Sequence, residues 1–516
     1  MKNYINNKVW KILIILVCVI IVGAFWYSSY LEEKKSCMGV QILSETDMRK
    51  YTEYEYQDFS QLLRHKDELV SMDVEDSTIY IAQNINDHTI YNDLQGKVTI
   101  DDTKYQLYFG ADDAFKNLDE AVKEGHEFSL YVTDGSATYM KYNVVFTTLP
   151  VIRLDGEVTH QNEEGRDVFT GDICVWAPID PDSKSYTVKT SDLEWHLRGG
   201  TTKRLKKNSW KISLKKENGE NRNLAFCGLG ADDDWVLNAM ALDDTKMREH
   251  LFMDLWNEVA SQNTYSYKMS SGEYVEVVSN GKYLGLYMIQ RRIDTKYLGL
   301  GKNTSLVRGK RLTTAPNSVY EAYEIRGGDL SEEEVYAVMY APYWGLNFES
   351  LVNVDNFVDM NMFVGLAMAP DNSAFNNTYW IVEKESGENQ YSISMVPWDT
   401  DISFGIVASG GFRYDYGATV YTDMGRRETA FLISNTEYVE KVFSRWKELR
   451  NTTFDTEHIL SYLEEYDEQL IGSGAFHRNM ELWGLRNGGN DYEESYNNLT
   501  KFIVDRLEWM DTIYGY

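Results

Sequence analysis

The chain has 516 residues, 43 % of them hydrophobic and 14 % aromatic, more apolar material than one core accommodates, so about two to four domains are expected. Its 51 basic against 80 acidic side chains give a net charge of -29, which repels polyanions and sets nucleic acid aside as a partner. The four cysteines (Cys18, Cys37, Cys174, Cys227) and eight histidines are scattered, with no Cys-x-x-Cys and no histidine pair at helical spacing. That excludes a zinc site of those kinds and a disulfide framework, leaving a single Cys174–Cys227 bridge open.

Taken in chain order, the first element is the apolar run Ile12 to Trp26, preceded by Lys2, Lys8 and Lys11 and followed by Tyr27, Tyr30 and the charged Glu32 to Lys35. Basic residues before the run place the N-terminus in the cytoplasm and the remainder outside. A cleaved secretory signal has the same apolar core. The aromatic residues at the far end and the absence of a small-residue cleavage site favour an uncleaved single-pass anchor within residues 1–35. Cys37 lacks the preceding apolar residue of a lipoprotein cleavage site.

Residues 36–147 read as a small β-rich module, in which STIYIAQNI, KVTIDDTKYQLYFG, HEFSLYVTDG and KYNVVFTTL are separated by Gly, Asp and Asn. One helix, Asp113 to Lys123, interrupts it. No residue set in this module converges on chemistry.

The second domain, 148–516, opens near LPVIRLDGE. In WHLRGGTTKRLKKNSWKISLKK, Trp195 to Lys216, Ser209, Lys211 and Ser213 share one strand face while Trp210, Ile212 and Leu214 share the other. Arg198, Lys203, Arg204, Lys206, Lys207 and Lys211, with Gly199 and Gly200, form either a local anion site, where glycine lets backbone N–H groups approach phosphate oxygens, or a solvated basic loop. Leu251, Phe252, Leu255, Trp256 and Val259 then recur at helical intervals, with Asp243-Asp-Thr suited to capping; this helix can also carry one acid that fixes a phosphate-binding lysine. The run Glu273 to Asp294 alternates about Asn280-Gly281, a hairpin signal. Lysine strand, helix and hairpin outline the small lobe of a nucleotide-binding transferase.

A helix over Asn353 to Ala369 leads to Asp371, which stands five residues before Asn376, and the strand Tyr391 to Pro397 ends before Asp399 and Asp401. Phosphoryl transfer needs a carboxylate to orient the attacking hydroxyl, an amide or carboxylate to hold magnesium, and a second carboxylate bridging magnesium to the phosphates. This order of residues supplies all three.

The ordered blocks LRGGTTKRLKKNSWKISL, DWVLNAMALDDTKMREHL, VEVVSNGKYLGLYMI, VDNFVDMNMFVGLAMAPDNSAFNNTYWI and MVPWDTDISFG resemble the spore coat protein H (CotH) kinase family over roughly residues 148 to 512. The resemblance implies an α+β, bilobal, atypical protein-kinase-like fold that binds ATP with Mg2+ or Mn2+ and phosphorylates Ser or Thr of protein substrates. It implies Asp371 as the catalytic aspartate, Lys211 as the phosphate-binding lysine, next to the anion-site candidates Arg198, Gly199 and Gly200, Asn376 as a metal ligand and Asp399 as the principal metal-binding aspartate, a role Asp401 can exchange with it. The chain departs from the family where Gln290-Arg291-Arg292 follows the hairpin in place of an acid, and where Arg-Gly-Gly replaces Arg-Gly-Asn. An exported domain meets little ATP. Two functions therefore stand: a membrane-anchored kinase acting on cell-surface or envelope proteins, and a catalytically silent surface interaction protein using the same scaffold.

Overall fold

The computed structural model describes residues 22–23, 42–43, 45–53, 64–65, 68–82, 99–100, 103–110, 118–133, 138–178, 186–200, 204–310, 317–344, 350–369, 371–372, 377–385, 390–407, 412–413, 415–417, 436–485 and 492–516. Of the N-terminal apolar run only Val22 and Gly23 are among them, so the expected anchor lies outside the described residues. No helix among the described residues is long and apolar enough to cross a membrane.

The amino-terminal module is a mixed seven-stranded sheet in the spatial order 42–43, 106–110, 128–133, 138–147, 78–82, 71–73, with 52–53 also on strand 138–147. Alternation in Phe128–Thr133 and Thr138–Thr147 turns Phe128, Leu130, Val132, Tyr142 and Val144 into one core with Ile79, Phe109 and Phe146. The helix expected over 113–123 is Leu118–Lys123, residues 111–117 lying outside the described set.

A closed barrel follows, in the order Val151–Gln161, Asp167–Pro178, Tyr186–Arg198, Ser209–Lys215, Asp234–Asn238, Lys282–Arg291, Gly272–Ser279. The chain neighbours pair antiparallel, and the barrel closes where Val151 to Leu154 run parallel to Glu276 to Ser279. Closure leaves no free edge to pair with another chain. Inside are Ile152, Ile173, Leu193, Trp195, Ile212, Leu214, Trp235, Leu237, Val275 and Ile289, so Lys211 points outward, as the alternation predicts. The hairpin turn is Asn280 at φ 49° and Gly281 at φ 69°, two left-handed residues that match the strand twist. This turn docks the amino-terminal module: Val74 N–H donates to Gly281 O at 2.8 Å, and Tyr80 stacks on Tyr283 with ring centroids 4.0 Å apart. Beneath it the fully buried Glu276 receives Arg478 Nη2 at 2.8 Å and Nε at 3.0 Å.

The second lobe is an antiparallel sheet in the order Tyr323–Gly328, Thr304–Gly309, Thr378–Lys384, Tyr391–Pro397, packed by helices Glu332–Trp344, Val354–Ala367, Thr436–Arg450, Thr456–Gly472 and Tyr492–Tyr514. Helix Arg248–Gln262 lies in the same core and buries Leu251, Phe252, Leu255, Trp256 and Val259. Its capping differs from the expectation. The N-cap residue is Met247, without a side-chain bond, and Asp243 instead accepts the Arg248 backbone N–H at 2.8 Å while its other oxygen takes Arg248 Nη1 at 2.5 Å. The bridge between Cys174 and Cys227 is corrected: both are free thiols. Cys174 sits on a barrel strand and Cys227 in a loop with φ 51°.

On the far face of helix 248–262, His250 stacks on Tyr466 at 4.5 Å, and burial, reinforced by Asp254 and Glu465, pushes the Glu273 carboxyl up to about 8. A carboxyl whose folded pKa exceeds its unfolded value adds stability below the unfolded value and loses it as pH rises through the folded one. Glu273→Gln is therefore expected to leave the melting temperature nearly unchanged at pH 4 to 5 and to stabilise by about 2 kcal/mol above pH 8. Thermal denaturation across that range checks it; a uniform gain at every pH would contradict it.

Candidate active site

Helix Val354–Ala367 begins at Asn353, whose side chain accepts the Asn356 N–H at 3.2 Å, and buries Phe357, Met360, Phe363, Val364 and Ala367. It stops at Met368, in the left-handed region at φ 47°, and hands the chain to Asp371. Strand Tyr391–Pro397 stops likewise before Trp398 and Asp399, the latter at φ 56°. Asn377 and Phe404 are left-handed too, at φ 45° each. Four non-glycine residues in that region cost on the order of 1 kcal/mol apiece and persist only where the surroundings impose them.

The buried Asn372 ties together the turns at Asn377 and Asp399. Its Nδ2 donates to Asn377 O and Trp398 O, both at 2.9 Å, and Trp398 N–H returns to Asn377 O at 2.9 Å. Asn377 Nδ2 in turn reaches Asp371 Oδ2 and Asp399 O, each at 3.2 Å. The two acidic loops are thus stitched into one platform. Removing the amide strands the buried Trp398 carbonyl and takes from Asn377 O one of its two donors, so Asn372→Ala is expected to lower stability by about 2 kcal/mol, measured by urea denaturation with an unchanged m-value.

From the barrel side, Arg198 ends strand Tyr186–Arg198 with its guanidinium 5.0 Å above the Trp398 ring and Nη2 3.7 Å from Asp399 Oδ1. Gly199, at φ 105°, needs the freedom of glycine, and its carbonyl accepts Arg166 Nη2 at 3.2 Å while Leu197 O accepts Nη1 at 2.6 Å. At Gly200 a Cβ would meet only open space.

The buried Glu249, in the first turn of helix 248–262, receives Asn238 Nδ2 at 2.6 Å and Gln290 Nε2 at 3.3 Å. Burial, then the nearby Asp399, pushes its carboxyl up to about 7, and Arg198 opposes the rise. Burial and then Asp399, Glu249 and Asp371 push the half-buried Asp401 well above the ordinary carboxylate range, again against Arg198.

The structure therefore gathers Asp399, Glu249, Asp371 and Arg198 around Asp401. Asn376 and Lys203 lie outside the described residues. Lys211 is on the outer barrel face, opposite His196 and Val236 in the strand register, and its ammonium stands 3.2 Å from Asp234 Oδ2. Arg292 Nη1 bonds the same oxygen at 2.9 Å. Lys207, read from sequence as part of the basic cluster, is buried: its ammonium donates to Leu286 O and to Asn479 Oδ1, the latter at 2.7 Å, and sits 4.2 Å over the Tyr287 ring. Burial holds it well below the usual lysine range, so it takes no part in an anion site there. Arg204 and Lys206 are exposed.

Sequence reasoning left open which acid the helix supplies, and missed Asn372, Asn377 and Arg166. A glutamate two residues before the apolar helix positions Leu251 and Phe252 was the available sign for Glu249. Gln290, noted as a departure after the hairpin, is one of its two amide donors.

A divalent cation suits this site by its donors. The carboxylates are hard oxygens whose mutual repulsion such an ion relieves, and Asn372 Oδ1, Thr400 Oγ1 and Ser403 Oγ are buried there without hydrogen-bond partners among the described residues. Among those residues no three His, Cys, Asp or Glu side chains stand close enough to form a protein cage.

Residues 196–510 match the family model described as CotH kinase protein. No curated protein matches the chain.

Proposed function

The chain belongs to the CotH kinase protein family, and from that premise we propose that it is a metal-dependent protein kinase, moving the γ-phosphate of ATP to Ser or Thr hydroxyls of cell-surface or envelope proteins. The convergence of Asp371, Asp399, Asp401 and Arg198 on one stitched platform carries the reading. Asp371 orients the acceptor hydroxyl and takes its proton. Asp399 and Asp401, with Asn376, would hold magnesium or manganese, whose charge would offset that of the phosphates. Arg198 and the backbone at Gly199 and Gly200 receive the phosphate oxygens. Lys211 joins them by leaving Asp234, whose charge remains matched by Arg292.

Labelled ATP with magnesium or manganese, a general protein acceptor and the purified chain is expected to give transfer that disappears in Asp371→Ala and Asp399→Ala. Failure to bind nucleotide at all would remove the proposal in favour of a surface interaction protein. Location is part of the same proposal: the apolar run Ile12 to Trp26 behind Lys2, Lys8 and Lys11 anchors the chain with the kinase domain outside. Protease added to intact cells should then cleave that domain; full protection would place it inside.

A further inference from the structure

We infer that Arg166, at the tip of the first barrel hairpin, is a positioning residue for phosphate transfer: it holds the Leu197 and Gly199 carbonyls so that Arg198 and the Gly200 N–H are presented to the phosphates. The inference rests on the kinase reading for what the loop receives, and on hydrogen bonds of its own for how the loop is held.

The pairing of Val151 to Leu154 with Glu276 to Ser279 ends at Leu154, whereas the hairpin of strands Val151–Gln161 and Asp167–Pro178 runs on past that point as an arm, its second strand alongside Tyr186–Arg198 as far as Val168 and His196. Gly156 and Gly171 face each other at the base of the arm. A Cβ on Gly156 would stand 2.8 Å from the Trp195 ring, and one on Gly171 would strike Asp155 O. Any side chain at either position would push the arm off Trp195, on which Phe169 stacks with ring centroids 5.1 Å apart. The arm therefore has one direction.

Asn162 closes the tip on itself. Its Oδ1 accepts the N–H groups of Glu164 and Arg166, each at 3.0 Å, and its own N–H donates to Arg166 O at 2.9 Å. From this fixed start the Arg166 side chain sends Nη1 to Leu197 O at 2.6 Å and Nη2 to Gly199 O at 3.2 Å, with Glu164 Oε2 2.6 Å from Nη2 as its counter-charge. A guanidinium suits this task because its donors form a rigid fork that spans two carbonyls, which one ammonium does not.

A trans peptide sets its carbonyl and its N–H on opposite sides. With Gly199 O turned to the arm, the Gly200 N–H points away from it, at a residue where a Cβ would meet only open space. Arg198 lies between the two held carbonyls, and its guanidinium stands 3.7 Å from Asp399 Oδ1 and 5.0 Å above the Trp398 ring. Two successive glycines have no side chains with which to fix such a loop, so the neighbouring arm fixes it. The accuracy matters, since a misplacement of about 1 Å at a reacting group costs up to about 100-fold in rate.

The test uses the full chain with Arg166→Ala and Arg166→Lys. In transfer assays with ATP and magnesium, Arg166→Ala is expected to raise KM for ATP about tenfold and to leave KM for the acceptor protein unchanged. Arg166→Lys, which reaches one carbonyl only, should raise KM for ATP about threefold. A side chain that merely stabilised the fold would lower the melting temperature without separating the two KM values. Trypsin supplies a readout that needs no nucleotide: it should cut after Arg198 about fivefold faster in Arg166→Ala, relative to its cutting after the exposed Lys216 of the same chain. Equal cleavage after Arg198 in parent and variant, an unchanged KM for ATP, or both KM values rising together overturns the inference, while transfer by the parent leaves the kinase reading standing. A parent that binds ATP without transferring it, with the same tenfold loss of ATP affinity in Arg166→Ala by calorimetry, upholds the role of Arg166 and overturns the kinase reading alone. A parent that binds no ATP overturns both.

Discussion

Replacing Asp371 by Asn is expected to lower the rate of phosphate transfer by about 1,000-fold while leaving the fold intact. The substitution keeps the side-chain shape but removes the acceptor of the hydroxyl proton, and general-base contributions of about 100- to 10,000-fold are the usual range. Asp371 is half-buried and receives Asn377 Nδ2 at 3.2 Å. An asparagine there still accepts that bond through its amide oxygen, so the stitched loops retain their hydrogen bonds and the melting temperature should move by no more than about 2 °C. Nucleotide affinity, read by calorimetry, should stay within about threefold, since the residue is assigned to the acceptor side and not to the phosphates. A variant that keeps more than a tenth of parental turnover would remove Asp371 from the chemistry.

Asp401→Asn should act in two opposite directions. Without metal, the parent holds Asp401 among Asp399, Glu249 and Asp371 with Arg198 as the opposing charge, and its folded pKa lies above the unfolded one. Stability contributed by its neutral form is present at acid pH and is lost as pH rises through the ordinary carboxylate range toward the folded value. The amide is neutral at every pH, so the variant should melt higher than the parent at pH 7 to 8, by about 1–2 kcal/mol, and no higher near pH 4. With millimolar magnesium or manganese and nucleotide the order should invert. The parent gains stability by mass action on its folded state, whereas a variant with one acid fewer gains far less. Differential scanning fluorimetry over pH and metal concentration reads both effects. An identical metal-dependent gain in the two proteins would show that Asp401 is no ligand.

Each expectation is local in what it draws from the sequence and long-range in what it draws from the fold. Alternation told that Ile212 and Leu214 face one way and Lys211 the other, because side chains on a strand have a period of two whatever they pack against. It did not tell that the Lys211 ammonium would meet Asp234, since the partner depends on which strand lies alongside. The Asn280-Gly281 turn was legible because only such residues adopt two left-handed conformations in succession. Helix 354–367 was legible as well, within the stretch Asn353 to Ala369. Lys207 was misread for the opposite reason. A lysine in a basic run looks solvated, and its burial under Tyr287 and Asn479 follows from packing between the barrel and helix Ala475–Trp483, far along the chain.

What the sequence by itself determined here is the lysine strand and its outward face, the 280–281 hairpin, the helix before Asp371 and the presence of acids at two loop positions, since periodicity, turn chemistry and residue type are properties of a few neighbouring residues. Only the tertiary structure decided that the barrel closes between residues 151–154 and 276–279, that Glu249 supplies the fourth carboxyl, and that Asn372 binds the two acidic loops into one platform. Those facts require residues distant along the chain to meet, and no local pattern records which distant backbone carbonyl a buried amide will find.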